Sequence, residues 1–508
     1  MFAAGINGSW VAQRPGPGGQ ATDTQFNFVQ EGDAFTGTML STMGSQKIVN
    51  GRIDGDAITF EVIANMMGQE RRMTYQGKLE GDTLRLTMLM PAGVGPGGPG
   101  GPGGPGGGGM RGQREIVARR GVSESLKKQM EADARRPKPT LPERKALAPN
   151  GLAQTPPMGW NSWNKFGTRV SDQLVRETAD ALASTGMRDA GYIYLTIDDG
   201  WQGARDEAGN LRPNERFPDM KALGDYVHAK GLKFGIYSSP GPRTCGRFEG
   251  SYGYEARDAA MFASWGVDFL KYDLCSAGQM FAEADQPRLF QLMAEHLRAA
   301  GRPIVYSISQ YGRANVQDWA ASTGANMWRT TFDIRDQWAS VAQIGFAQNG
   351  LEKAAGPGRW NDPDMLEIGN GGLSADESRS HMALWTMLAA PLMAGNDVRS
   401  MGKETLEVLT NREVLAVSQD ALGRQGYRLA QEGEAETWVK PLKDGAWAVA
   451  LFNRGNAPAE LKLAWSALGL KKPPKVRDLW QGRELTAGAG GLAGTAAAHG
   501  VLLWKVTP

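Results

Sequence analysis

Carboxylates recur at the ends of short apolar runs in the central part of this 508-residue chain. Asp198 and Asp199 follow one run, and Asp273 follows another. Lys271 precedes Asp273 by two residues, so both side chains would point to the same face of an extended strand. The run ends that carry polar or aromatic side chains are residues 160–163, 198–201, 237, 271–273, 309–311, 329–333 and 362–365.

Many carboxylates together with aromatic side chains suit glycoside hydrolysis. That reaction needs two carboxyl groups beside the scissile bond, further acceptors for sugar hydroxyls, and an aromatic platform. The 4 His and 2 Cys show no metal-ligand spacing, so we expect neither a metal nor another cofactor. A single Asp after a strand could equally be a helix N-cap, but that explanation is weak for the whole set. Spacing alone identifies neither the reacting pair nor the stereochemical outcome.

The apolar runs alternate with amphipathic helical patterns, and this alternation indicates the element that positions the carboxylates. Eight strand–helix units predict a (β/α)8 barrel over residues 151–420, with the active site at the carboxyl ends of its strands. A doubly wound sheet is the alternative, but it gives no reason for the number eight. The predicted strands are 158–163, 192–197, 232–237, 267–272, 303–308, 327–332, 359–366 and 391–395, and predicted helices include 173–185, 254–265 and 287–299.

The regions on either side of the predicted barrel have strand-like patterns. Residues 1–121 predict an all-β domain, a small barrel or sandwich, because segments 51–58 and 77–84 both read as a strand, a tight turn and a returning strand. We expect the Gly/Pro-rich tract 93–109 to be a long disordered hairpin loop of that domain, with an interdomain linker as the alternative. The predictions continue with a linker at 122–150 and an antiparallel β-sandwich at 421–508.

Composition narrows the possible partners and location. The net charge is +2, from 56 basic and 54 acidic residues without a dense basic run, so we expect no nucleic-acid partner. The sequence contains no apolar stretch of about 18 residues, so we do not expect membrane insertion. We expect a secreted or periplasmic protein whose signal peptide has been removed from this chain. Cys245 and Cys275 are either unrelated buried thiols or one disulfide, which would imply an oxidising compartment.

Six motifs in the central region resemble those of glycoside hydrolase family 27, the α-galactosidase and α-N-acetylgalactosaminidase family. They are PPMGWNSW, TIDDGW, GIYSSPGPRTC, KYDLC, WRTTFDIRDQW and GRWNDPDML. The resemblance extends from Pro156 to about Asp420, and the predicted C-terminal sandwich matches the family's second domain in type. It implies a retaining exo-α-galactosidase in which Asp273 is the nucleophile and Asp333 the acid/base.

The resemblance also implies a sugar-binding set. Asp198 and Asp199 would bind galactose hydroxyls, including the axial O4 and the O6, and Trp163 would be the aromatic platform. We expect Lys271 to keep Asp273 ionised. Asp333 must donate a proton, so a less compensated environment is expected for it. The substrate-binding residues implied are Trp163, Asp198, Asp199, Tyr237, Lys271, Ser309, Tyr311 and Arg329, with Asp364 and Met365 as the pocket floor; Cys245 and Cys275 stand where the family has a disulfide.

The loop after the fifth predicted strand bears on specificity in that family. Ser309 fits either galactose or N-acetylgalactosamine, and the pair Gln310-Tyr311 favours galactose, with N-acetylgalactosamine as the alternative. The intact Asp198-Asp199 pair argues against a β-L-arabinopyranosidase. A non-catalytic sugar-binding protein is a remote alternative. The expected partner is an α-galactoside oligosaccharide or glycan, an oligomer is possible, and the N-terminal domain could bind carbohydrate, mediate oligomerisation or act as a spacer.

Overall fold

The computed structural model describes residues 5–15, 21–66, 69–89 and 115–508. These residues form an N-terminal closed barrel, a central eight-stranded parallel sheet with helices, and a C-terminal antiparallel assembly. In the described ranges, no helix combines the length and the apolar character needed to cross a membrane.

The N-terminal region is a closed antiparallel barrel in which each strand pairs with the next and the first pairs with the last. Its interior is filled by aromatic side chains, including Phe26, Phe60 and Tyr75. The prediction left a barrel and a sandwich open, and the structure is a barrel. Its strands are β1 (Gly8–Pro15), β2 (Ala21–Glu31), β3 (Ala34–Ser41), β4 (Gly44–Asp54), β5 (Ala57–Met66), β6 (Gln69–Glu80), β7 (Thr83–Leu89) and β8 (Glu115–Arg120).

Strand β8 pairs with both β7 and β1, so it belongs to the same barrel. The Gly/Pro-rich tract therefore lies in sequence between two strands of one barrel, which rules out the alternative of an interdomain linker. The tract at 93–109 itself lies outside the described residues. Helix α1 (Glu124–Ala134) follows the barrel and begins at Ser123, whose hydroxyl accepts a hydrogen bond from the Leu126 amide.

The central sheet contains eight parallel strands in the order β17-β16-β15-β14-β13-β10-β9-β18. A parallel bridge between Leu366 and Ala394 joins the segment after β17 to β18, which brings the two ends of the sheet together. The strands are β9 (Met158–Asn161), β10 (Tyr194–Thr196), β13 (Lys233–Ser238), β14 (Phe269–Asp273), β15 (Val305–Ser309), β16 (Met327–Arg329), β17 (Trp360–Asp362) and β18 (Leu392–Ala394); β11 (Gln202–Arg205) and β12 (Leu211–Pro213) form a separate hairpin.

The eight parallel strands confirm the barrel-like arrangement that the alternating pattern predicts. Strands β16 and β17 are shorter than predicted, because the chain leaves the sheet after Arg329 and after Asp362 to form loops around the pocket described below. The helices are α2 (Trp163–Phe166), α3 (Asp172–Ser184), α4 (Met220–Ala229), α5 (Glu255–Ser264), α6 (Ala277–Met280), α7 (Gln286–Ala299), α8 (Val316–Trp319), α9 (Trp338–Phe346), α10 (Ala375–Met387), α11 (Lys403–Thr410) and α12 (Arg412–Ser418).

The C-terminal region consists of a six-stranded antiparallel sheet, in the order β19-β20-β21-β26-β23-β24, and a two-stranded sheet, β22-β25. A core that includes Val449, Leu463 and Trp504 lies between them. This arrangement confirms the predicted sandwich. Its strands are β19 (Tyr427–Glu432), β20 (Ala435–Pro441), β21 (Trp447–Asn453), β22 (Ala459–Ala464), β23 (Lys475–Asp478), β24 (Arg483–Leu485), β25 (Gly491–Ala496) and β26 (Val501–Thr507).

Candidate active site

The carboxyl ends of the parallel strands and the loops after them surround a small pocket that is open to solvent. Most of the predicted site residues line it, although Asp199, Ser309 and Cys275 do not. A larger cleft, on the outer side near α5 and the β11–β12 hairpin, contains none of the predicted site residues. The pocket is lined by Trp163, Asn164, Asp198, Tyr237, Cys245, Lys271, Asp273, Tyr311, Arg329, Asp333, Asp364 and Met365.

Asp273 is the last residue of β14 and is buried in the pocket. The Tyr311 hydroxyl donates a hydrogen bond to its Oδ1 at 2.5 Å. Burial raises the pKa of Asp273 to about 6, while the positive charge of Lys271 and the hydrogen bond from Tyr311 act in the opposite direction. The effect of Lys271 is the one expected from sequence, but its ammonium group forms its direct ion pair with Asp198, at 2.8 Å.

Asp333 lies in the loop after β16, and its side chain is 65% exposed. Its Oδ1 is 3.1 Å from Nη2 of Arg329, and the same nitrogen is 3.0 Å from Oδ2 of Asp364. The expectation of a less compensated environment for Asp333 is therefore wrong. Arg329 is buried at the end of β16, so its guanidinium needs nearby carboxylates to offset the loss of hydration.

Asp198 and Asp199 are buried side by side after β10. Asp198 Oδ2 accepts hydrogen bonds from Asn161 Nδ2 and Lys271 Nζ, both at 2.8 Å, and its Oδ1 accepts one from the Asp199 amide. Asp199 Oδ2 accepts a hydrogen bond from the Gly246 amide. Its Oδ1 is buried and has no hydrogen-bond partner among the described residues. Burial raises the pKa of Asp199 to about 7.

One wall of the pocket is fixed by a disulfide between Cys245 and Cys275, which confirms the pairing that the resemblance implied. The Tyr237 hydroxyl lies 3.1 Å from Cys275 Sγ. Candidate metal-ligand atoms of Cys245, Asp273 and Cys275 lie within 4.8 Å of one another. Because the two sulfurs are bonded to each other, neither is a thiolate that could bind an ion.

Three non-glycine residues at the site have positive φ: Asp364 (88°), Tyr311 (65°) and Cys275 (36°). Such conformations are costly and persist only where the surroundings enforce them. At Asp364 the backbone amide donates to Asp362 Oδ1 at 2.9 Å, while its carbonyl accepts from Trp385 Nε1 at 2.6 Å. These contacts hold the carboxylate beside Arg329.

The remaining predicted residues occupy distinct depths. Trp163 is half-buried and begins α2, where its amide donates to Asn161 Oδ1 at 2.8 Å. Met365 follows Asp364 in the pocket lining. Ser309 is fully buried at the end of β15, where it is paired in register with Asp273. Its hydroxyl has no hydrogen-bond partner among the described residues, and it lies behind the pocket surface.

Sequence reasoning missed Asn164 and the residues that hold it. Asn164 lines the pocket and donates a hydrogen bond from Nδ2 to Glu367 Oε1. The other oxygen of Glu367 accepts from Asn370 Nδ2 at 2.6 Å, and burial raises the pKa of Glu367 to about 7. Asn164 directly follows the motif PPMGWNSW, which ends at Trp163, and that position was the one available signal; the Glu367 contact spans 203 residues and had none.

Eight parallel strands that present buried carboxylates and aromatic side chains at one end define a glycoside hydrolase of the barrel type. Residues 155–420 match the family model described as alpha galactosidase A, and residues 432–506 match the alpha galactosidase C-terminal beta sandwich domain. The chain belongs to this family, glycoside hydrolase family 27.

Two relatives, one from a plant and one from a bacterium, cover similar shares of the chain. The alpha-galactosidase of Cyamopsis tetragonoloba is 46% identical over 72% of this chain and 89% of its own length. Alpha-galactosidase A of Cellvibrio japonicus is 41% identical over 70% of this chain and 93% of its own length. The crystal structure of alpha-galactosidase I from Mortierella vinacea superposes with a TM-score of 0.68 and 36% identity, covering 71% of this chain and 98% of that one.

One similar structure also extends over the N-terminal region. A crystal structure from Bacteroides fragilis NCTC 9343 has a TM-score of 0.68 and 30% identity, and it covers 98% of this chain and 91% of its own.

Proposed function

We propose that this protein is a retaining exo-α-galactosidase, with Asp273 as nucleophile and Asp333 as acid/base. The observation that carries the proposal is the difference in depth between the two carboxylates. Asp273 is buried in the pocket, whereas Asp333 is largely exposed at its edge. A terminal sugar would fill the pocket with its anomeric carbon beside Asp273, and the leaving group would extend past Asp333 into solvent.

In the first step an Asp273 carboxylate oxygen attacks the anomeric carbon while the Asp333 carboxyl donates its proton to the glycosidic oxygen. The bond to the leaving group breaks and a glycosyl ester on Asp273 forms. In the second step Asp333 accepts a proton from water, the water oxygen attacks the anomeric carbon, and Asp273 leaves as a carboxylate. The sugar is released with its original anomeric configuration.

These two reaction steps need one ionised carboxylate and one proton held nearby. Tyr311 and Lys271 favour the ionised form of Asp273 through a hydrogen bond and a positive charge. Four carboxyl groups line the pocket against two cations, and this excess favours retention of a proton within the set. Arg329 bridges Asp333 and Asp364, so movement of its guanidinium toward Asp364 would free Asp333 to hold that proton.

Sugar recognition is assigned to the remaining pocket groups. Asp198 would accept hydroxyl hydrogen bonds, as would the unpartnered Oδ1 of Asp199, since buried polar atoms require partners. Trp163 offers an indole face to the C–H groups of the sugar. Tyr237, Lys271, Tyr311, Arg329, Asp364 and Met365 complete the proposed contacts, with Ser309 behind them as a residue that shapes the site.

The proposed substrate is a terminal α-linked galactose on an oligosaccharide or glycan. Curated relatives are named alpha-galactosidases, and one similar structure is of a yeast alpha-galactosidase with raffinose. We also propose division at residues 121, 150 and 420 into N-terminal domain, linker, catalytic barrel and sandwich. The Cys245–Cys275 disulfide supports a secreted or periplasmic location, because such bonds persist in oxidising compartments.

The experiment compares nitrophenyl α-galactoside, α-N-acetylgalactosaminide and β-L-arabinopyranoside as substrates of the purified chain. We expect the galactoside to have the highest kcat/KM, and a preference for either other sugar would overturn the substrate assignment. Proton NMR of the first product should show α-galactose before mutarotation. Initial release of the β-anomer would overturn the retaining mechanism.

A further inference from the structure

The loop at residues 242–250, which follows β13, connects the pocket to the N-terminal part of the chain. Its two ends are joined by an antiparallel bridge between Arg243 and Glu249. At its tip Cys245 lines the pocket, and the amide of Gly246 donates to Asp199 Oδ2. The position of this loop therefore determines one wall of the sugar pocket and the orientation of one sugar-binding carboxylate.

Two charged residues from outside the catalytic barrel bind both ends of this loop. Asp133, in the last turn of α1, lies 2.8 Å from Nη2 of Arg243. Arg136, just after α1, pairs with Glu249 and, at 2.9 Å, with Asp133. Both residues precede the segment 155–420 that matches the family's catalytic model.

The arginines of the network are buried and its charges balance. Arg136 and Arg243 have side chains that are 5% and 9% exposed. Arg205 extends the network, at 3.6 Å from Glu249 and 2.7 Å from the buried Asp258. Three arginines thus face three carboxylates. Removing one member of such a buried set leaves the others uncompensated, so the set acts as a unit.

Backbone packing adds to the same contact. At Gly253, just beyond the loop, a Cβ atom would lie 2.0 Å from the carbonyl oxygen of Pro137, so the two backbones approach more closely than any side chain would allow. At the tip of the loop, Arg247 donates to the Thr22 hydroxyl on β2 of the N-terminal barrel. The N-terminal region therefore contacts the loop at its ends and at its tip.

We propose that residues 133–137 are a positioning element of the active site, which holds the loop 242–250 so that Cys245 and Gly246 keep their places at the sugar pocket. Asp133 and Arg136 are positioning residues and touch no substrate. The inference rests on the proposed function for its effect on sugar binding. The loop's attachment can be measured without any activity.

The test uses the full chain carrying Arg136→Met or Asp133→Asn, with Arg135→Met as the matched control. Arg135 is the exposed neighbour in the same segment. Hydrogen exchange of the peptide 242–250 measures the attachment of the loop. We expect exchange of the Gly246 amide to accelerate roughly tenfold or more in both variants and to stay unchanged in the control. Unchanged protection of Gly246 in both variants would overturn the proposal, whatever the activity of the protein.

Kinetics with nitrophenyl α-galactoside give the second readout. We expect KM to rise roughly tenfold with a smaller change in kcat, because the loop contacts the sugar-binding Asp199 rather than the reacting carboxylates. Arg136→Lys should recover part of the loss. A uniform loss of kcat that follows the unfolded fraction, with KM unchanged, would reduce the segment to a structural role and contradict the proposal. Absence of turnover in the wild type would refute the proposed function, while the exchange result would still decide the attachment.

Discussion

The ionisation of Asp273 depends on opposing effects at a single residue. Burial favours its protonated form and raises its pKa to about 6. Lys271 and the Tyr311 hydroxyl favour the carboxylate, which is the nucleophilic form. Arg329 is placed between Asp333 and Asp364, so a buried cation links the proposed acid/base to the pocket floor. Small changes at these side chains should therefore alter the reaction without changing the fold.

Replacing Asp273 by Asn should lower kcat for nitrophenyl α-galactoside roughly 10³-fold or more, because an amide cannot form the glycosyl ester. The matched control is Asp268→Asn. Asp268 immediately precedes the same strand at its opposite end, where it pairs with His228 and Arg302. That variant should lose stability and retain kcat. Undiminished turnover in Asp273→Asn would refute the nucleophile assignment.

Tyr311→Phe should move the acid limb of the kcat/KM profile to higher pH. The wild-type limb is expected near pH 6, since activity requires ionised Asp273. Loss of the hydroxyl removes a hydrogen bond that favours the carboxylate, so the pKa of Asp273 rises, by about one unit. The control is Tyr306→Phe, whose hydroxyl donates to the Phe290 carbonyl away from the pocket. An unshifted or lowered limb in Tyr311→Phe would contradict this account.

At the scale of elements, the loops after β13 and β14 form one unit. The Cys245–Cys275 bond links them, and Ser276 Oγ accepts from the Arg243 amide at 3.0 Å and donates to the Arg243 carbonyl at 2.6 Å. Cys245 in the first loop lines the pocket, and the second loop directly follows Asp273, which lines it as well. Their connection should therefore influence both stability and sugar binding.

The double variant Cys245→Ser/Cys275→Ser should lose about 3–4 kcal/mol of unfolding free energy, the entropy expected for a bond that closes a separation of 30 residues. KM should rise because the wall is less constrained. Denaturant unfolding and steady-state kinetics measure the two effects. The chain has only 2 cysteines, so treating the wild type with a reductant is a direct control and should reproduce both changes. Unchanged stability in both preparations would show that the bond does not constrain these loops.

The whole molecule contains several buried carboxyl groups whose pKa values are raised by burial. Because these groups bind protons more tightly in the folded state, their contribution to stability is present at low pH, below about 4, and is lost as pH rises through their folded pKa values. Lys440 acts in a different pH range. Burial lowers its pKa to about 7, so its influence on the pH dependence of stability lies above pH 7. The raised carboxyl groups include Asp199, Glu255 and Glu367, at about 7, and Asp273 and Asp362, at about 6.

The free energy of unfolding should therefore fall as pH is raised from about 5 to 7.5. Urea denaturation at a series of pH values measures this slope. Glu367→Gln should flatten it, whereas Asp206→Asn should not, because the hydrogen bonds of the half-buried Asp206 lower its pKa and its effect lies at lower pH. A stability that rises over this pH range would contradict the assignment.

The sequence by itself determined the barrel and the residues at the carboxyl ends of its strands, and the disulfide pair was implied by the resemblance of its motifs to a known family. Strand alternation and local motifs act over a few residues, so they specify which side chains stand at the carboxyl ends of the strands, including Asp198, Asp273 and Arg329. Contacts between distant segments have no such periodic signal. The tertiary structure alone decided that Arg329 would pair with Asp364, that Glu367 would hold Asn164, and that Asp133 and Arg136 would reach the loop beside the pocket. Those pairings depend on how separately formed elements pack, and complementary charge and burial select them only after the chain has folded.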